Sequence, residues 1–249
     1  MTEPMPAARD STVVIHRALR EAILNNQVTA GAELSQARVA RDFRVSRGPV
    51  REAFRLLERE GLIQTEVNQR ARVAPFSIED LEQLYAVRIV NEALGLALSV
   101  PRFAPAELDE LDVALQRMDE LAGGDIADWE IVHGRFHRLL VAHAGERLQR
   151  LTRQCFEHAE RYRRVYVTSE PRAWTVGASE HREIVAACQA RDAPVAAANL
   201  ARHLSRTALA VLLQVAPDHD PQVVRAAVRQ VTGPVTSTIA APPARRANA

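Results

Sequence analysis

The chain has 249 residues, 47% of them apolar, and a formal net charge of +1 at pH 7. This length predicts two domains of ordinary size, each able to bury a core of its own. No apolar run approaches the roughly 18 residues of a membrane span and no leader-like segment opens the sequence, so we expect a cytoplasmic protein with no membrane partner.

The first 75 residues are predicted to form a small domain of three helices and one hairpin. Ser46 can cap the third helix, and Gly61 follows its last apolar residue, where a left-handed C-terminal cap is favoured. The turn between the second and third helices is brief, which is typical of a helix-turn-helix, and the hairpin would be its wing. The helices are predicted at residues 11–26, 35–43 and 47–60, and the two strands at residues 62–67 and 71–73.

The third helix of this domain carries a row of arginines. Arg47, Arg51 and Arg55 recur every four residues and share one face, while Val50 and Phe54 mark the inner face. Arginine pairs in fork geometry with phosphates and with the O6/N7 edge of guanine, so the row predicts a DNA recognition helix. The alternative is an ordinary solvated charged face, and the spacing alone does not decide between the two.

Positive charge is concentrated in the same domain. All 32 basic residues of the chain are Arg; 12 of them, against 9 acidic residues, precede Phe76, and the other 20 are set against 22 acidic residues. Attraction to phosphates requires positive charge where DNA lies. The charge distribution therefore favours the DNA-binding interpretation.

Three segments of this domain, residues 34–35, 45–53 and 57–63, resemble the DNA-binding domain of the GntR family of bacterial transcription regulators. The resemblance implies a winged helix-turn-helix that binds double-stranded operator DNA through Arg47 and Arg51. We assign to the same DNA-binding surface the neighbouring positions and those on the preceding helix and the wing: Ser46, Gly48, Arg38 and Arg70.

Three residues depart from the family pattern. Ala37 stands where many members have Arg, and Arg44 and Arg70 stand where Gly is usual. We therefore expect the operator to be read differently, with an Arg at the wing tip able to enter the minor groove.

The rest of the chain reads as helices and predicts an all-α six-helix bundle over residues 76–216. Ser77 and Asp80 form an approximate capping box at its start, and the short linker predicts that the two domains are coupled. Cys155 and Cys188 are expected to be buried small apolar residues. The six helices are predicted at residues 78–100, 105–122, 126–143, 146–167, 172–190 and 193–215. Residues 217–249 are predicted to be a disordered tail with one marginal helix at 222–231.

Four histidines of the bundle form a candidate metal site. His133 and His137 share one helical face at a spacing of four residues, and His181 and His203 lie on the inner side of later helices. Taken alone, such a pair is more often satisfied by hydrogen bonds or solvent. The order of the four resembles the ligand-responsive C-terminal domain of the FadR subfamily of GntR regulators, called FCD.

The FCD resemblance implies a bound divalent metal ion. The first ligand is normally the Asp of an Asp-x-x-Phe-His motif, and this chain has His133 at that position, before Phe136 and His137. Imidazole suits transition metals, so Zn²⁺ is the expected ion, with Ni²⁺ as a second possibility. Glu130, one turn before His133, is a possible substitute ligand.

The same resemblance implies a small carboxylate effector held by the ion and an additional cation. Arg88 matches the family's Arg on the first bundle helix and is the candidate for that cation; the alternative is a salt bridge to Glu92, four residues later. Arg161, Arg164 and Asn199 are weaker candidates, supported only by their expected inward placement.

The sequence thus predicts a DNA-binding transcriptional regulator, expected to be a repressor, whose helical domain forms a homodimer and senses a small metabolite. A metal-dependent enzyme is one alternative, but no plausible general base accompanies the histidines. A metal-binding module is another, and it would leave the Arg-rich helix unexplained.

Overall fold

The computed structural model describes residues 8–65 and 70–233. The described chain is mainly helical with one small sheet, which confirms the predicted fold class. Its helices are α1 Ala8–Leu24, α2 Gln36–Asp42, α3 Arg47–Arg59, α4 Ile78–Ser99, α5 Pro105–Leu121, α6 Ile126–Leu140, α7 Glu146–His158, α8 Glu160–Ser169, α9 Ala173–Gln189, α10 Ala193–Val215 and α11 Gln222–Thr232. Its strands are β1 Glu33–Leu34, β2 Ile63–Gln64 and β3 Ala71–Val73.

The three strands form an antiparallel sheet in the order β1-β3-β2. Strand β3 pairs Ala71 with Leu34 and Val73 with Ile63, so the hairpin gains a third strand that the sequence did not predict. At two residues, β1 is too short to show a period-two pattern. The tip of the wing, residues 66–69, lies outside the described residues.

The inner face predicted for the third helix packs as expected. Val50, Phe54 and Leu57 are buried on α3 and pack against α1, which contributes Ile15. Gly61 has a φ of +66°, in the left-handed region that favours glycine after a helix. This packing leaves the opposite face of α3 to solvent.

One predicted helix of the second domain is interrupted in the structure. The segment expected as one helix over 146–167 is two, α7 and α8, separated at Ala159. The Arg163 guanidinium donates to the Phe156 carbonyl at 2.8 Å, so a side chain has entered the backbone ladder where the helix breaks. Neither Pro nor Gly marks this break, which is why the sequence pattern missed it.

The expectation of disorder from residue 217 does not hold for α11. Val224 of α11 is fully buried against the core, and the Glu82 carboxylate of α4 accepts hydrogen bonds from the backbone N–H groups of Val223 and Val224. His219 also bonds Glu82, at 2.8 Å. The described part of this domain therefore has eight helices rather than six, and residues 234–249 lie outside the described residues.

Helix α4 is the centre of the second domain, in contact with α6, α7, α10 and α11. Among the described helices, only the stretch 78–102 is long and apolar enough to cross a membrane. Half of that stretch is buried by the surrounding helices, and it carries the buried ion pair of Arg88 and Glu92. Its apolar character is therefore that of a core helix.

The two domains meet through α8. Arg164 donates to Glu21 of α1 at 2.9 Å and to Asn25, the residue after α1, at 3.0 Å. Arg20 of α1 pairs with Glu160 of α8. Burial opposes ionisation of Glu160, yet these Arg partners hold the pKa of its carboxyl below the ordinary value.

Candidate functional site

The predicted DNA-binding residues lie on the exposed face of α3 and beside it. Arg47 and Arg51 are exposed, whereas Val50 between them is fully buried. Arg55 is exposed as well, 3.6 Å from Glu52. The row of arginines inferred from the sequence is thus free to meet a partner outside the protein.

The start of α3 has room for a partner to approach. Ser46 is the N-cap residue, and within the described chain its hydroxyl makes no capping hydrogen bond. A Cβ added to Gly48 would meet, among the described residues, only the Ser46 hydroxyl at 3.8 Å. Packing inside the protein therefore does not require glycine at this exposed position.

The other two predicted contacts flank this helix. Arg38 lies exposed on α2, 3.8 Å from Asp42. Arg70, at the described edge of the wing, donates to Glu33 at 3.0 Å, beside Arg72, which pairs with the same carboxylate. Arg44, in the turn between α2 and α3, has a φ of +53°, which explains why Gly suits this position.

The four predicted metal-ligand histidines come together inside the bundle. His133 and His137 of α6, His181 of α9 and His203 of α10 are all buried, and one ligand atom from each lies within 4.8 Å of the others. The Nε2 atoms of His133 and His137 are 3.1 Å apart, and those of His181 and His203 are 3.2 Å apart.

Two of these histidines end a hydrogen-bonded Arg–Glu–His chain, and a third lies near an Arg–Glu pair without bonding to it. Arg88 pairs with Glu92, which bonds His137 Nδ1 at 3.0 Å. Arg206 pairs with Glu180, which bonds His203 Nδ1 at 3.1 Å. Arg163 pairs with Glu130 at 2.6 Å, and Glu130 lies 3.8 Å from His133 Nδ1.

These carboxylates orient the imidazoles for coordination. A Glu bonded to Nδ1 selects the tautomer with the proton on Nδ1, which leaves the Nε2 lone pair of His137 and His203 free. Burial lowers the pKa of His137 to about 4 and the pKa of His133 and His181 well below the ordinary value. The imidazoles of His133, His137 and His181 are therefore neutral near pH 7, as metal ligation requires.

The donor set fits a divalent transition metal. Two imidazole nitrogens at Zn–N distances of about 2.0–2.1 Å stand roughly 3–4 Å from each other, as the two Nε2 pairs do here. Four imidazole nitrogens suit Zn²⁺ or Ni²⁺ better than Mg²⁺ or Ca²⁺. Glu130 is engaged by Arg163, which fits a carboxylate behind a ligand better than a ligand itself.

Every unpartnered buried side-chain N or O atom in the described residues lies on three residues: Tyr85 OH, Arg88 NH1 and NH2, and His133 Nδ1. Arg88 is the largest side chain that is fully buried, and only its Nε is paired, with Glu92 at 2.7 Å. The expected salt bridge to Glu92 thus exists, but it leaves both terminal nitrogens of the guanidinium free. Unmet buried donors are costly, so their concentration here indicates a place for an acceptor.

Two effector candidates lie away from this place. Arg161 donates to the Ala74 carbonyl at the domain interface. The break before α8 leaves Arg163, and not Arg161, pointing inward. Asn199 lies on α10 one helical turn before His203, and its side chain donates to the Glu183 carbonyl on α9. The effector roles expected for Arg161 and Asn199 do not fit these positions, and Arg164 belongs to the domain interface.

Sequence reasoning missed Tyr85 and Arg163. Tyr85 precedes Arg88 by three residues, so helical spacing could have placed it on the same face of α4. Arg163 has no comparable signal, because its inward direction depends on the unmarked helix break. Cys188 is buried, with its pKa raised to about 12 by burial, and Cys155 is half-buried.

Family models match both parts of the chain. The model described as bacterial regulatory proteins, gntR family, matches residues 12–73, and the FCD domain model matches residues 83–206. These ranges contain the arginine row and the histidine cluster respectively.

The chain is similar to other transcription regulators over most of its length. The HTH-type transcriptional regulator BphR of Paraburkholderia xenovorans (strain LB400) is 30% identical over 201 residues, covering 76% of this chain and 81% of that protein. The HTH-type transcriptional repressor GlaR of Escherichia coli (strain K12) is 27% identical over 199 residues, covering 76% and 90%. A solved structure of a GntR transcriptional regulator from Rhodococcus sp. RHA1 aligns with a TM-score of 0.63 at 27% identity, covering 82% of this chain and 98% of that chain.

Proposed function

Because this chain belongs to the gntR family of bacterial regulatory proteins and carries an FCD domain, we propose that it is a cytoplasmic repressor controlled by a metal-held carboxylate. The family makes it a DNA-binding transcriptional regulator and not an enzyme, which sets aside the alternative of metal-dependent catalysis. The metal ion, the effector, the dimer and the direction of regulation are our proposals.

The DNA-binding part of the proposal rests on α3. Arg47 and Arg51 are exposed on the helix that follows the turn, where they would read base edges or phosphates in the major groove. Gly48 supports this orientation, since a glycine within a helix costs up to about 1 kcal/mol relative to Ala and packing here does not demand it. Close approach of a DNA backbone would explain it.

One observation carries the effector part: the unpartnered guanidinium nitrogens of Arg88 beside four converging imidazoles. His133, His137, His181 and His203 would hold the ion, which when bound supplies a Lewis-acid site for a carboxylate oxygen. Arg88 would donate from NH1 and NH2 to the effector, as a guanidinium does in fork geometry. The neutral, oriented imidazoles and the buried cation together favour an anionic ligand.

Coupling between effector and DNA is supported by α8. Arg163 reaches the site through Glu130, while Glu160 and Arg164, three residues before and one after it, hold α1. A shift of α8 caused by ligand binding near the histidines would therefore move residues that contact α1 of the DNA-binding domain. Tyr162, on the same helix, also donates to Asp80 at the start of α4.

A homodimer is supported by an exposed apolar face on α4. Val87, Val90, Leu94 and Leu98 recur every three or four residues and are all exposed, on the side of α4 away from its buried residues. Such an unpaired face would be covered by a second copy in a twofold dimer. Two recognition helices would then contact half-sites about one DNA turn apart.

The experiment is to remove the ion from the full-length protein with a chelator, restore Zn²⁺, and screen small carboxylates by thermal shift and operator release. We expect carboxylates to raise the melting temperature and to release DNA only from the metal-loaded protein. A metal-free protein that still responds fully to its effector would reduce the ion to a structural role. A loaded protein that binds no carboxylate would refute the effector proposal.

A further inference from the structure

We propose that the effector is a dianion, specifically a small dicarboxylate, because the histidine cluster holding a divalent ion would bury two positive charges that nothing else in the site balances. This inference rests on the metal-held carboxylate proposed above and specifies its charge.

The charge follows from the pairing of each nearby carboxylate. Glu92 is paired with Arg88, Glu130 with Arg163, and Glu180 with Arg206. Each carboxylate therefore has an Arg to itself, and among the described residues the ligand cluster contains only imidazoles. Neutral imidazoles leave the charge of the ion at +2.

The residue at position 133 makes this surplus particular to this chain. An Asp there, as the family motif has, would be a negatively charged ligand and would lower the surplus to +1. His133 is buried at 2% exposure, with its Nε2 beside that of His137. Burying an unbalanced charge is costly, so an anion that brings two negative charges gains more at this site than one that brings a single charge.

The two carboxylates would have separate partners. One would bind the ion, and the other would accept hydrogen bonds from NH1 and NH2 of Arg88 and from the Tyr85 hydroxyl, all of which are unpartnered among the described residues. Arg88 and His137 both lie beside the Phe156 ring, which is 5.4 Å from Arg88 Cζ and 5.3 Å from the His137 ring. A short dicarboxylate can therefore reach from one to the other.

A cavity of about 220 Å³ between α6 and α7 gives access to this space, with His137, Glu92 and Phe156 in its lining. An apolar cavity of about 150 Å³ is enough to hold benzene, so a dicarboxylate of two to five carbons is of suitable size. Arg138 and Arg153 line the same cavity, are exposed, and form no ion pair among the described residues. Their adjacent charges would draw anions to the entrance.

The acidic residues that line this cavity, and a second cavity nearby, bear on where the effector would bind. Of the other acidic residues lining the cavity, Glu130 and Glu160 are paired with Arg, and Glu157 is exposed. A second cavity, lined by Trp129, Trp174 and three of the four histidines (His133, His181 and His203), measures about 50 Å³, too small for a ring without movement of side chains. The larger cavity is therefore the better place for the effector.

The test compares ligands of equal carbon number that carry one or two carboxylates. Zn²⁺-loaded full-length protein is titrated by calorimetry with four pairs of equal carbon number: oxalate and acetate, malonate and propionate, succinate and butyrate, glutarate and valerate. We expect the best dicarboxylate to bind at least tenfold more tightly than any monocarboxylate. Monocarboxylates that bind equally well or better would overturn the dianion inference while leaving the carboxylate effector intact. Binding of neither series would refute the effector itself.

Variants at position 133 test whether the charge of that residue sets the preference for dicarboxylates. His133→Asp adds one negative charge and is expected to reduce the preference for dicarboxylates at least tenfold, whereas His133→Asn, which adds none, is expected to keep it. Metal content is measured on each variant so that loaded proteins are compared. A His133→Asp protein with the wild-type preference would contradict the charge argument, and the wild-type series alone decides the matter if either variant fails to fold.

Discussion

Arg164 of the helical domain donates 2.9 Å to Glu21 of the DNA-binding domain while it is itself only 4% exposed. A buried charge of one domain is thus balanced by the other. Because Glu160 keeps Arg20 as a partner, Arg164 can be replaced without leaving that carboxylate alone. This pair therefore allows coupling between the domains to be tested separately from folding.

We expect Arg164→Gln to weaken the effect of the effector on operator affinity without abolishing DNA binding or metal content. Typical coupling free energies are about 1–3 kcal/mol, and we expect this value to fall towards zero. The measurement is operator affinity with and without effector. Arg150→Gln, at an exposed pair with Glu146 on α7, is the control and should keep full coupling. Equal coupling in both variants would exclude Arg164 as the link.

The exposed arginines of α3 give a direct prediction about DNA. Replacing Arg47 or Arg51 with Ala should weaken operator binding by about 1–3 kcal/mol per base-reading Arg, with no loss of thermal stability. A gel-shift titration measures the loss of affinity. The control is Arg117→Ala, which changes an exposed side chain of α5. If both α3 variants bind like the wild type, the recognition helix has been assigned incorrectly.

Gly48 offers a test in which stability and function move in opposite directions. Gly48→Ala should raise the free energy of unfolding by up to about 1 kcal/mol through helix propensity, yet weaken operator binding because the methyl group would stand where DNA approaches. Gly177→Ala is a matched control, since a Cβ there meets no atom of the described residues within 4 Å. It should stabilise the protein similarly and leave operator affinity unchanged.

Metal content tests the histidine cluster. His137→Ala and His181→Ala should lose an ion that the wild type holds at about one per subunit, because each removes one of four ligands. His133→Asp should retain it, since a carboxylate also binds Zn²⁺. Elemental analysis of untagged protein is the measurement, with His143→Ala, which bonds Glu107 outside the cluster, as the control. Full metal content in His133→Ala would show that His133 is a bystander.

The buried histidines make the metal-free protein sensitive to acid. The pKa of His137 is about 4 in the folded protein, against about 6.5 in an unfolded chain, so the unfolded state binds the extra proton first as the pH falls. Stability should therefore decline from pH 6.5 towards pH 4, by on the order of 3 kcal/mol for His137 alone. Urea titrations in chelator at pH 7.5, 6.5 and 5.5 measure the slope. His137→Gln should flatten it, and a wild-type protein equally stable at pH 7.5 and 5.5 would contradict this account.

Much of the fold follows from signals that are local in the sequence. Capping by Ser35 and Ser77, the glycine after α3, and the periodic core residues mark helices whose ends the structure shifts by only a few residues. The break at Ala159 was missed because the Arg163–Phe156 contact that accompanies it leaves no pattern in the sequence. The third strand was missed because it is only two residues long. His133 and His137 could be found because their spacing is helical, and the other two because the order of the four resembles the FCD domain. Arg163 could not be found, because its direction is set by the break at Ala159.

The position of α11 bears on the order in which the chain can fold as it leaves the ribosome. The DNA-binding domain closes its core with contacts between residues 8 and 73, so it can fold early. Helix α4, in contrast, is covered by α10 and α11. The Glu82 carboxylate of α4 accepts hydrogen bonds from the N–H groups of Val223 and Val224, which follow it by more than 140 residues. Contacts of such long range form late. A nascent or truncated chain would therefore carry a folded operator-binding domain before it had a closed sensor domain to restrain it.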